Sequence, residues 1–108
     1  MPHVTHNKLV RDLIPSIVEK NGELAKTRKL RLSEYKQALK TKLCEEAAEA
    51  AASTSKSDLI EELADMQEVL LALYDAYGID CKDVTKTARA KRKKKGGFAS
   101  KLFLEYTE

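Results

Sequence analysis

The chain has 108 residues, 43% hydrophobic and 34% charged, with a net charge of +3; this allows one domain with a modest core and excludes a disordered chain. No apolar run approaches the ~20 residues needed to cross a bilayer, and the opening MPHVTHNKLVRD lacks a signal-peptide core, so a cytoplasmic location is expected. The small net charge hides an asymmetry: residues 34–68 carry nine acids and four bases, net −5, whereas residues 82–101 carry nine bases and one acid, net +8. A partner must suit both an acidic and a basic surface, as a metal-chelated polyphosphate does.

In chain order, Leu9, Val10, Leu13, Ile14, Ile17 and Val18 recur at helical spacing. Asp12 is a candidate cap, Pro15 fits a first turn and Asn21-Gly22 is a stop signal, so a short helix is predicted near 13–20. The stretch 24–32 has no helical stripe and reads as extended. Ser33 is a candidate N-cap for a long second helix with Tyr35, Leu39, Leu43, Ala47 and Ala50 on one face, ending near Ser53. After the polar linker, Ser57 or Asp58 is the expected cap of a third helix carrying Leu59, Leu63, Met66, Val69, Leu70 and Leu73, closed by Gly78. Asp80 caps a fourth helix that runs through Val84 and Ala88 into the basic segment 89–95 and breaks at Gly96-Gly97. The tail 101–106 reads as a strand, whose natural partner is the extended stretch near 24–31. Cys44 and Cys81 fit no zinc spacing and are expected to pack as small buried residues. The fold class expected is mainly α: a bundle of about four helices with a small two-stranded ribbon, forming one domain over 1–108.

The second helix contains Glu45-Glu46-Ala47-Ala48-Glu49 and the third Glu61-Glu62-Leu63-Ala64-Asp65. Each helix therefore presents acids three residues apart on one face, where like charges repel by a few tenths of a kcal/mol per pair. The short linker predicts an antiparallel hairpin that brings the two clusters face to face. Four converging carboxylates form a hard oxygen site suited to magnesium, with manganese as a substitute. For a single glutamate a solvated helix face is the commoner situation, but here the acids abut apolar positions, and Ala47, Ala48, Ala50, Ala51 and Ala52 leave room between helices. The same alanines are equally good helix formers.

The spacing Glu46-x-x-Glu49, twelve residues, then Glu62-x-x-Asp65, resembles the signature of the all-alpha nucleoside triphosphate pyrophosphohydrolases, the superfamily of MazG, dimeric dUTPases and phosphoribosyl-ATP pyrophosphohydrolase. Glu45 extends the match to Glu-Glu-x-x-Glu. Asn7-Lys-Leu-Val-Arg-Asp12 with Ile14-Pro15, and Gly96-Gly97-Phe98, are similar to the phosphoribosyl-ATP pyrophosphohydrolase-like branch. The chain departs from it at Leu13, where that branch is expected to carry lysine; this removes one phosphate contact. The resemblance implies that Glu46, Glu49, Glu62 and Asp65 ligate magnesium, with Glu45 and Glu46 as the catalytic carboxylates. It also implies that a nucleoside triphosphate, or a related nucleotide such as phosphoribosyl-ATP, is cleaved to a monophosphate and pyrophosphate.

Lys8, Arg11, Arg92, Lys95 and Gly97 are the candidate substrate contacts. Arg92 and Lys95 come from a run with six cations in seven residues, 89–95, although cations also suit a helix C-terminus for macrodipole reasons. Arg11 followed by Asp12 reads equally as an ion-pair arrangement. The same basic run could serve a non-catalytic nucleotide- or nucleic-acid-binding protein. Against nucleic acid stand the scarcity of aromatics near the run and the acidic hairpin, which would repel a phosphodiester backbone. A homodimer or larger assembly is expected, since two amphipathic helices leave apolar surface to pair.

Overall fold

The computed structural model describes residues 3–108, which divide into two compact units, one ending at Gly78 and the other Ile79–Glu108. Among the described residues there are four helices and no strand.

In the first unit, α1 is Ile14–Lys20, with Pro15 in its first turn, where a missing N–H costs nothing. Asp12 does not cap it: Leu13 holds the N-cap position without a side-chain bond, and the Ile14 N–H donates instead to the Arg11 carbonyl at 3.0 Å. Gly22, at φ +86, closes the helix by donating to the Glu19 carbonyl.

The second helix, α2, is Leu32–Ala52, and starts earlier than the Ser33 cap would place it. Its first turn is held by Glu34, whose carboxylate accepts from the Arg31 N–H at 3.3 Å and from the Arg28 guanidinium at 3.1 Å. The Arg28 bond, followed by the backbone bond, keeps the Glu34 carboxyl below its ordinary range. α3 is Lys56–Tyr77. Its N-cap is Ser55, ahead of the expected Ser57 or Asp58, because a side chain must precede the helix to reach back to a first-turn N–H; Ser55 Oγ accepts from the Asp58 N–H at 3.1 Å. Gly78, at φ +64, ends α3 in the left-handed conformation that only glycine adopts cheaply.

The short turn between α2 and α3 folds them into an antiparallel hairpin. Leu39 and Val69 are its buried apolar residues, and the ammonium groups of Lys36 and Lys40 lie 4.7 and 5.3 Å from the Tyr77 ring centre, joining the start of α2 to the end of α3. The hairpin leaves Ile60, Leu63 and Leu71 about half exposed.

In the second unit, α4 is Cys81–Lys95. Asp80 caps it as expected, accepting from the Lys82 N–H at 2.9 Å, and Gly96 terminates it at φ +86. The residues after Gly97 form no regular structure, and Phe98, Leu102, Phe103, Leu104 and Tyr106 are exposed.

The structure departs from two further expectations. Neither 24–31 nor 101–106 forms a strand, so the ribbon is absent among the described residues; a lone two-stranded ribbon is marginal without a packed face, and the exposed tail side chains supply none. Cys44 and Cys81 are free and exposed rather than buried, Cys44 on the solvent side of α2 and Cys81 in the first turn of α4.

Candidate metal centre

The acids of α2 and α3 meet where the hairpin geometry predicts. Glu46, Glu49 and Glu62 each place one carboxylate oxygen so that all three lie within 4.8 Å of one another. Positions 46 and 49 share a face of α2 because three residues make nearly one turn, and the antiparallel crossing sets Glu62 of α3 opposite them.

Glu46 is the one charged residue that is buried among those described, at 7% exposure, so its carboxylate has lost most of its water. Its Oε1 lies 3.6 Å from Lys42 Nζ one turn earlier, while its Oε2 is sealed from solvent with no hydrogen-bond partner. Glu62 Oε2 is in the same situation. Two carboxylate oxygens cut off from water and unpaired across one cleft are costly features in a helical hairpin. A cation between them would satisfy both.

The Glu62 carboxyl is pushed above its ordinary range. Loss of water around it is the main cause, followed by a hydrogen bond shared with the Glu49 carboxyl and by repulsion from Glu49, Asp65 and Glu46. Glu62 thus holds a proton more tightly than an isolated carboxylate does, and a divalent cation would compete for the same place. The oxygen-only donor set, the separations and the two orphaned oxygens fit magnesium or manganese.

The other candidate residues are distributed differently. Asp65 lies outside the three-carboxylate set: its Oδ1 accepts from Arg11 Nη2 at 2.7 Å. Arg11, expected as a phosphate contact, is therefore bound to an expected metal ligand. Glu45 turns one step around α2 from Glu46, and its Oε2 lies 3.5 Å from Lys42 Nζ. Lys8 lines a groove beside α2 together with Glu45 and Lys42. Arg92, Lys95 and Gly97 belong to the second unit, at and just beyond the last turn of α4, and all three are exposed.

Lys42 was not singled out in the sequence, although its spacing of three and four residues before Glu45 and Glu46 is a readable signal for ion pairing. Its ammonium bridges the groove and the buried end of the carboxylate cluster.

A helical hairpin with a three-carboxylate cluster, buried at Glu46, fits an all-alpha protein of the MazG-like nucleotide pyrophosphohydrolase class. The family model for phosphoribosyl-ATP pyrophosphohydrolase matches residues 10–92, and the chain belongs to that family, whose members are hydrolases of phosphoanhydride bonds. No curated protein and no solved structure matches the chain. No helix among the described residues is long and apolar enough to cross a membrane.

Proposed function

We propose that this chain is a magnesium-dependent pyrophosphohydrolase that cleaves a nucleoside triphosphate, or a related nucleotide such as phosphoribosyl-ATP, to a monophosphate and pyrophosphate. The observation that carries this reading is the pair of buried, unpartnered oxygens on Glu46 and Glu62 within a three-carboxylate cluster. Glu46, Glu49 and Glu62 would hold the cation, with Asp65 available as a fourth ligand once free of Arg11. Magnesium, when bound, neutralises charge on the phosphate oxygens and lowers the pKa of water beside them.

In the reaction, water attacks the α-phosphorus in line, the bond from that phosphorus to the α–β bridging oxygen breaks, and pyrophosphate leaves with the electron pair. Glu45, on the neighbouring face of α2, accepts the proton from water, and the Lys42 ammonium, 3.5 Å from its Oε2, orients it. Glu46 both positions the cation and orients Lys42. Lys8, Arg92, Lys95 and Gly97 supply phosphate contacts. The half-exposed Ile60, Leu63 and Leu71 on the hairpin support a homodimer or larger assembly, and a cytoplasmic nucleotide-pool role accords with such chemistry.

The test is pyrophosphate release from a panel of canonical and modified nucleoside triphosphates and phosphoribosyl-ATP, with magnesium, with manganese and with chelator. Metal-dependent release from any member is the expected result. Silence across the panel would overturn the catalytic reading and leave a binding protein.

A further inference from the structure

Beyond the break at Gly96-Gly97 the chain carries five large apolar side chains in nine residues, Phe98, Leu102, Phe103, Leu104 and Tyr106, each at least 72% exposed. So dense an apolar run left in water marks an interaction surface. The Lys101 N–H donates to the Phe98 carbonyl at 3.0 Å and Lys101 takes φ +58, so a turn closes there. Residues 102–106 then continue with negative φ and with neither helix, turn nor bend. Their main-chain N–H and C=O groups have no backbone partner among the described residues. Extended backbone with free edges and apolar side chains is the form that takes up another strand.

The sequence of this segment is complementary to itself. In a strand, Leu102, Leu104 and Tyr106 share one face and Phe103 and Glu105 the other, with Lys101 at the entry. When two copies run antiparallel about a two-fold axis at Phe103, position 102 stands opposite 104 and position 101 opposite 105. Leucine then meets leucine, phenylalanine meets phenylalanine, and each Lys101 ammonium meets the partner's Glu105 carboxylate. A parallel, in-register pair would instead set lysine on lysine and glutamate on glutamate. Moving the antiparallel axis to Leu104 would set Phe103 against Glu105 and leave Lys101 opposite Thr107. Opposite charges across strands stabilise pairing and like charges oppose it, so the charges select the Phe103-centred register.

We propose that residues 102–106 of two copies of this chain pair as an antiparallel ribbon centred on Phe103, making this segment a second interface between copies. The ribbon rests on the self-association proposed above. Two strands alone are marginal, but copies already joined through their hairpins present these segments to one another at an effective concentration far above that of free chains. Pairing withdraws from water the apolar run that the single chain exposes and gives hydrogen-bond partners to main-chain groups that lack them. It also closes one edge of the strand against further, unspecific pairing.

The full chain is sedimented over a range of concentrations, and amide hydrogen exchange is followed where it is associated and where it is monomeric. In the associated state alternate amides of 102–106 are expected to exchange about tenfold or more slowly than in the monomer. Lys101→Glu and Glu105→Lys each turn two attractive pairs into two repulsive ones and are expected to weaken association about tenfold. The double variant Lys101→Glu/Glu105→Lys restores both pairs and the affinity with them. Association in which the 102–106 amides stay as unprotected as in the monomer overturns the ribbon and leaves the hairpin contact standing. Single variants that associate as tightly as the wild type, or a double variant that does not recover, overturn the Phe103-centred register. A chain that stays monomeric at every concentration sinks the hairpin self-association, and the ribbon with it.

Discussion

Arg11 and Asp65 are joined by a 2.7 Å ion pair across 54 residues of sequence, between the segment preceding α1 and the middle of α3. The pair ties an irregular segment to the hairpin and withholds from the carboxylate cluster the acid whose spacing predicts a fourth ligand. Both side chains are about half exposed, at 58% and 44%, so the pair contributes at most about 1 kcal/mol to stability. It is weak enough to exchange for a metal.

Replacing Arg11 with alanine frees the Asp65 carboxylate and removes a positive charge from the site. Manganese affinity of the substrate-free protein, measured by calorimetry, is expected to rise several-fold, with thermal stability falling by less than about 1 kcal/mol. An unchanged affinity would show that Asp65 stays outside the metal shell even when released.

Glu46→Gln and Glu62→Gln each remove a charge from the carboxylate cluster while keeping the side chain's shape. Turnover is expected to be abolished in both, whereas the unfolding midpoint measured in chelator stays level or rises as like-charge repulsion is relieved. Retained pyrophosphate release in both variants would exclude the cluster as the metal site.

The raised Glu62 carboxyl makes a signed prediction for stability against pH. Because the folded state binds this proton more tightly than the unfolded chain, the stabilisation is fully present below the unfolded value of 4.5 and is lost as pH rises through the higher folded value. In chelator, melting temperature followed upward from pH 4.5 should therefore carry a declining contribution that Glu62→Gln removes. Glu34 acts with the opposite sign: its carboxyl is lowered, so its contribution is present above 4.5 and is lost as pH falls through the lower folded value. Magnesium should stabilise the protein more at neutral pH than near pH 5, since the proton and the cation compete.

Arg92 stands in the last turn of α4, where a cation also suits the helix dipole. If it grips a phosphate in the bound substrate, Arg92→Ala raises KM by about tenfold and lowers kcat much less. An unchanged KM would assign it to the helix end alone.

Local chemistry made much of this fold legible. The stop at Gly22, the left-handed close of α3 at Gly78, the Asp80 cap and the break at Gly96 were each written in residues whose backbone preferences act within a few positions. Caps chosen by side-chain competition were less legible: Asp12, Ser33 and Ser57 are all chemically able to cap, and the first turns form around Leu13, Glu34 and Ser55 instead. The ribbon failed for a different reason, since alternation in a short tail signals a strand only when a partner and a packed face exist.

The sequence by itself determined the helical hairpin and the meeting of Glu46, Glu49 and Glu62, because a period of 3.6 residues and a short turn leave few other ways to arrange two acidic faces. Only the tertiary structure decided which oxygens are sealed from water, that Asp65 is held by Arg11, and that Lys42 joins the groove to the cluster. Those are matters of desolvation and of contacts between distant segments, and they depend on the angles at which side chains leave the packed helices, which spacing along the chain does not encode.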